Sequence, residues 1–356
     1  MRRMRLGGEA IGNALAEPPT DGTGRPLAPR AKVIDEELVR RLQEAGVQTV
    51  FVDDPAFQDL QFSALVSPPT LRLAAAVFHE AKERLANRPK EPLPYVPFLH
   101  LAQAVIQDSF DTPLDVAAVL MPQNQAQRDE IHALNRASLV VRLAHAMRLP
   151  RYAGDVAVAG LACDLGMLLI PPKARWQHQD LTTEEVETIR GHVAASLKFA
   201  EGREGWTAVT RAAIAQHHER VDGSGYPNGI KGEEIHPIAR MLAVCDVFSA
   251  MLIPRPDGGD FSPEEALAEV DGAAGSLFDY DTVVAFHRMV PPYPVGTEVE
   301  LSSGERAVVL RVPGELKARP IVRVFMDKEG RRLPVFSELD LSQREMQATT
   351  VVRVIA

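Results

Sequence analysis

The sequence predicts a mainly α-helical chain with a small α/β module at its start and a small β subdomain at its end. Three observations predict this. Apolar residues recur at three- and four-residue spacing from about residue 98 to 290. The period changes after Pro291-Pro292, where β-branched runs alternate with turn residues. Near the start, one helical pattern leads into a short apolar run, "QTVFV".

Residues 1–65 read as the α/β module. Turn residues in "EPPTDGTGRPLAP" precede the helix pattern "DEELVRRLQEAGV". Leu38, Leu42 and Val47 are nearly in phase, Asp35 is placed to cap, and Gly46 ends the helix. Residues 66–125 read as a helical connector, with a helix over about 69–88 and a Pro-rich break at "NRPKEPLPYVPF". Residues 126–290 read as the main helical domain, from "DVAVAGLACDLGMLLI" and "ALNRASLVVRLAHAM". Residues 291–356 carry "GTEVELSSGERAVVLRV" and "RPIVRVFMDKEGRRLPVF", strand runs split by turns at Ser303-Gly304 and Lys328-Glu329-Gly330.

A length of 356 residues suggests two or three domains. With 46% hydrophobic and 24% charged residues, the composition is that of a globular protein. A net charge of -9 argues against a nucleic-acid polymer as partner, which would need a basic face. It leaves room for a small anionic ligand, because a metal or a few arginines reverse the field locally. Cys163 and Cys245 are the only cysteines, both in apolar runs, and read as free buried thiols of a reducing compartment. The start shows no apolar signal-peptide core, and the apolar runs read as falling short of the roughly 20 residues a membrane span needs. The expectation is a cytoplasmic protein with no membrane association.

Several metal-capable side chains stand where the pattern calls for apolar packing. Asp164 follows the run from Val156 to Cys163, His192 sits in "TIRGHVAASLKF", His217 and His218 end "AVTRAAIAQHH", and Asp246 lies inside "ARMLAVCDVFSAM". A buried carboxylate is costly unless it is paired, hydrogen-bonded or metal-bound. Each has an ordinary alternative: a satisfied core histidine, a turn aspartate at Asp164, an ion pair between Asp246 and Arg240. Together they offer three imidazoles and two carboxylates, a mixed set suited to iron, manganese or zinc.

The block "HHERVDGSGYPNGIKGEEIHPIARMLAVCDVFSAM" resembles the signature of the HD-GYP family, a branch of the HD-domain phosphohydrolases. The likeness covers about residues 126–290 and implies an HD-type helical bundle enclosing divalent metals. It implies hydrolysis of cyclic di-GMP, with Asp164 as the catalytic, bridging aspartate. The implied metal ligands are His132, the Cys163-Asp164 pair, His192, His217, His218 and Asp246. One ion would take Asp164, His192, His217 and His218; the other would take His132, the Cys163 position and Asp246. Tyr226, Arg240 and Arg255 are the implied substrate contacts, with a structural ion pair as the alternative for Arg240. The Gly225-Tyr226-Pro227 loop would either stack on a guanine base or dock GGDEF-domain proteins.

The departures bear on activity. The family's "HDIGK" is "CDLGM" here, so Cys163 replaces a histidine and Met167 a lysine. Arg128 stands where some members have glutamate, and the tyrosine and lysine that follow Arg255-Pro256 in the family are absent. A thiolate can bind zinc or iron but adds charge; a neutral buried thiol binds nothing. Losing an electrostatic donor to phosphate typically costs about 10²–10³ in rate. Two readings follow: a metal-dependent cyclic di-GMP phosphodiesterase with one or two ions and weakened catalysis, or a non-hydrolysing cyclic di-GMP receptor or protein-interaction module that keeps the fold and one metal site.

Overall fold

The computed structural model describes residues 2–21, 25–54, 57, 63–88, 91, 93–112, 117–118, 127–175, 181–201, 205–253 and 261–355. Twelve helices are found among them: α1 (Glu36–Glu44), α2 (Pro68–Asn87), α3 (Tyr95–Asp111), α4 (Arg128–Ala146), α5 (Ala153–Ala162), α6 (Pro172–Arg175), α7 (Thr183–Arg190), α8 (His192–Phe199), α9 (Ala208–Gln216), α10 (Pro237–Met251), α11 (Pro263–Gly272) and α12 (Tyr280–Met289). Strands β1 (Arg2–Arg5) and β2 (Thr49–Val52) pair antiparallel, and β3 (Ser63–Ala64) pairs parallel with β4 (Ala117–Ala118). Strands β5 (Glu298–Leu301), β6 (Arg306–Arg311), β7 (Ile321–Met326), β8 (Arg332–Asp340) and β9 (Val351–Val354) form one antiparallel sheet in the order β8-β7-β6-β5-β9. The chain is therefore mainly helical with a small C-terminal sheet, as its periodicity indicates.

The expected first helix is α1. The Asp35 carboxylate accepts from Leu38 N at 2.7 Å, satisfying a free N–H of the first turn. Leu38, Leu42 and Val47 are buried against β1 and β2. The partner strand β1, drawn from the basic stretch at the start, was not anticipated.

The helical core is built around α4, α5 and α10. In α4 every residue from Ile131 to Ala144 is buried, and in α5 every residue from Val156 to Ala162. Helices buried on all sides lie at the centre of a bundle. Gly160 lets α5 lie close on α4: a Cβ there would fall 2.7 Å from Ala137 Cα. This crossing matters later, because the next residue back on α4 is Arg136.

The expectation that no apolar run approaches the length of a membrane span is corrected at Pro150–Leu169, which is long and apolar enough to cross a membrane by length and composition. In the fold it is divided into a 3-10 turn, α5 and a second 3-10 turn. Its apolar residues Val156 to Leu161 pack into the helical core.

The first and last parts of the chain are joined. Arg2 donates to Glu298 at 2.7 and 3.0 Å, Asp54 pairs with Arg332, and Phe57 meets Phe325 edge-on at 5.7 Å. Asp54 and Glu298 are both buried, so each depends on its arginine.

Candidate metal centre

Asp164, His192, His217 and His218 each offer a ligand atom, all within 4.8 Å of one another. They come from four different places: the second residue after α5, the start of α8, the residue that ends α9 and the turn that follows it. A close approach holds the first two together. A Cβ on Gly166 would lie 2.2 Å from the His192 carbonyl oxygen, so only glycine lets the turn after Asp164 rest on α8.

The histidine tautomers are set by backbone. His192 Nδ1 donates to Ile189 O at 2.5 Å, and His217 Nδ1 donates to Ile214 O at 2.7 Å. Both Nε2 atoms are thereby turned inward, 3.4 Å apart. Asp164 Oδ1 lies 3.1 Å from the first and 3.5 Å from the second. In the neutral rings these are three acceptor atoms facing one point with no donor between them. That arrangement fits a cation, and the backbone anchors are the outer support that metal-binding histidines generally have. His218 is held well below its ordinary pKa, first by burial and then by His217, so its imidazole is neutral and able to ligate. Burial opposes a charge on His192, but its hydrogen bond to the Asp164 carboxylate favours the imidazolium and prevails, so the pKa is raised. Asp164 keeps 23% of its side-chain surface exposed, which leaves the cluster open to solvent.

A second cluster, His132, Asp164 and Asp246, lies beside the first. Asp246 is buried, as its apolar neighbours imply. Its partner is not Arg240, whose guanidinium pairs with Asp279 at 2.9 Å. It is Arg136. Arg136 Nη1 lies 2.6 Å from Asp246 Oδ1 and 3.1 Å from His132 Nε2, and it also bonds Asp164 Oδ2. Its Nε donates to Gly160 O at 2.8 Å at the helix crossing. Burial works against both carboxylates, yet Asp164 is held well below the carboxylate range by Arg136 and its histidines, and Asp246 by His132 and Arg136. Ser249 completes the frame: it donates to Asp246 O and meets His132 Nδ1, each at 3.1 Å.

Cys163 belongs to neither cluster. It is fully buried, and burial pushes its thiol well above the usual value despite Arg136 nearby. It is a neutral SH group. Arg255 lies outside the described residues.

The loop after His218 is folded onto the cluster. Tyr226 N donates to His218 O at 3.2 Å, and buried Glu219 accepts from Asn228 N at 2.8 Å. The Tyr226 ring stacks on His218 at 4.7 Å, and exposed Arg190 lies over it at 5.1 Å. Arg136, Ser249, Glu219 and Arg190 escaped the sequence reading. For Arg136 a signal existed: an arginine one helical turn after His132 in the apolar run "HALNRASLVV".

Comparison with known proteins bears on this geometry. The HD domain family matches residues 119–282, and the family described as a KOW domain associated with HD domain matches 298–355. The chain is 28% identical over 319 residues to the cyclic di-GMP phosphodiesterase PA4108 of Pseudomonas aeruginosa, covering 82% of this chain and 77% of that protein. It is 28% identical over 261 residues to the cyclic di-GMP phosphodiesterase of Thermotoga maritima, covering 72% and 68%. It is 37% identical over 126 residues to the cyclic di-GMP phosphodiesterase response regulator RpfG of Xanthomonas campestris pv. campestris, spanning only 35% of this chain and 33% of that relative.

Proposed function

We propose, from the premise that this chain is an HD-domain protein of the HD-GYP type, that it is a metal-dependent phosphodiesterase acting on cyclic di-GMP with slowed turnover. The observation that carries the reading is the convergence of His192 Nε2, His217 Nε2 and Asp164 Oδ1, three acceptors with no donor among them. Three or four N and O donors of this kind suit iron, manganese or zinc. A divalent ion bound there would supply Lewis-acid chemistry to a phosphodiester. The chain's own residues do the rest. Ile189 and Ile214 carbonyls fix the two imidazoles, and Asp164 presents one oxygen to the cluster while Arg136 anchors the other. Tyr226 shields one side of His218, and Arg190 at the rim offers a cation to a phosphate group.

The helical unit that does this work is proposed to run over 126–290, flanked by the N-terminal module, the connector and the C-terminal sheet. The loop at Tyr226 is half-buried against His218, which favours a role in shaping the site over a free stacking surface. Docking of GGDEF-domain proteins would then use the exposed part of that loop. A cytoplasmic location accords with the two free cysteines.

The second reading, a cyclic di-GMP receptor that does not hydrolyse, is favoured by one feature: Arg136 among the ligands of the second cluster. One experiment separates the two. Protein loaded with manganese is mixed with cyclic di-GMP and the nucleotide is recovered and chromatographed. The phosphodiesterase yields linear product, and His217→Ala abolishes it; the receptor returns the cyclic dinucleotide intact. Absence of binding by loaded protein would defeat both.

A further inference from the structure

We infer that the Arg136 guanidinium occupies the place of a second metal ion, so that this chain takes one divalent cation and the His132–Asp164–Asp246 cluster is closed to metal. The inference rests on the metal reading of the first cluster and adds a statement about stoichiometry.

The argument begins with where the guanidinium nitrogen lies. Nη1 is surrounded by His132 Nε2 at 3.1 Å, Asp246 Oδ1 at 2.6 Å and Asp164 Oδ2 closer still. These atoms belong to the three residues that make up the second cluster. An ion held at the usual distance of about 2.0–2.3 Å from them would overlap that nitrogen.

The head is also used in an unusual way. An arginine serving two carboxylates generally spreads both Nη groups in a fork. Here one nitrogen lies against all three atoms, and Nη2, buried, has no hydrogen-bond partner among the described residues. Three ligand atoms converge on a point, as they would on an ion.

The side chain has no route away. Arg136 is 0% exposed, and α4 is buried on every side at this level. Its Nε is tied to Gly160 O, where α5 is pressed against Ala137. Swinging the guanidinium out would require parting two core helices.

The charges are consistent with one ion. Two carboxylates and one guanidinium leave the combined site with one net negative charge. A single divalent cation reverses it, which suffices to attract a phosphodiester. A second ion would stand beside a fixed positive charge with no added ligand, since Cys163 lies outside both clusters.

The test counts ions and does not depend on turnover. Apo protein is titrated with Mn²⁺ by calorimetry, and metal content is checked by mass spectrometry. The expected result is one ion per chain with the six-line resonance of an isolated Mn²⁺. His218→Ala should lose that ion, while His132→Ala should keep it. Arg136→Met with Cys163→His should take a second ion and show a spin-coupled spectrum. Two ions in the unaltered protein would overturn the inference and leave the metal-dependent function standing. Loss of the ion in His132→Ala would overturn it equally. No ion at all in the unaltered protein would remove the metal reading beneath it, and the inference with it. Should the Arg136 variant fail to fold, the unaltered protein and His132→Ala still decide.

Discussion

His192 Nε2 and His217 Nε2 face one another across 3.4 Å, each with its Nδ1 given to a backbone carbonyl three residues earlier. Without a cation, a proton is what relieves that approach, and Asp164 stabilises it.

A pH dependence of opposite sign in the apo and loaded protein follows. His192 and His132 are both raised above the ordinary histidine pKa of about 6.5. A raised group stabilises the fold fully below its unfolded pKa, and that contribution is lost as pH rises through the folded value. Protein in EDTA should therefore lose melting temperature from about pH 6.5 upward. With saturating Mn²⁺ the ligand must be neutral, so the gain from metal should grow over the same interval. Parallel melting curves with and without metal, measured between pH 6 and pH 8.5, would contradict this.

Gly160→Ala should cost about 1–3 kcal/mol of stability, the range for overpacking a tight core contact. The added Cβ would meet Ala137 Cα at 2.7 Å. Chemical denaturation reads the loss. Metal content at low temperature should stay the same, because the first cluster takes no residue from α4.

Cys163→Ala should leave metal affinity unchanged within error in calorimetry. The thiol is outside both clusters, and burial keeps it protonated. The same burial should make it inert to iodoacetamide until the protein unfolds. Rapid alkylation of Cys163 in the folded chain would show that the thiol is a reactive group after all.

Cys163→His with Met167→Lys should raise hydrolysis little while Arg136 remains. The gain should fall short of the ~10² that a well-placed electrostatic donor brings. In the Arg136→Met background the same pair should act more strongly than either change alone, since all three touch one transition state. Steady-state rates on cyclic di-GMP compare the two backgrounds.

Much of the helical frame can be read in the sequence because its signals are local. Asp35, Leu38, Leu42 and Gly46 delimit a helix by capping and spacing alone, and the period change after Pro291-Pro292 announces strands. Asp164, His192, His217, His218 and Asp246 stand out because polar groups in apolar runs need compensation. Arg136 does not, because a helical arginine ordinarily reaches for solvent along its own stem. On α4 there is no solvent-facing side to reach, and only the packing of α5 and α10 reveals that. The partner of Arg240 was equally hidden: Asp279 is 39 residues away in the chain and caps α12. The pairing of β1 with β2, and of Arg2 with Glu298, depends on contacts between distant segments that local patterns do not encode.

Glu298 has a consequence for how the molecule carries mechanical load. Its carboxylate holds Arg2, and its carbonyl oxygen accepts from Ile355 N at 2.8 Å. Residues at opposite extremes of the described chain are thus moored to one strand residue. Tension applied between them would pass through β1, β5 and β9 and bypass α4, α5 and α10. Under a pulling force the sheet should unzip first, while the cluster at His192 and His217 stays assembled. Any protein fused ahead of Arg2 would be carried next to anything fused after Ile355.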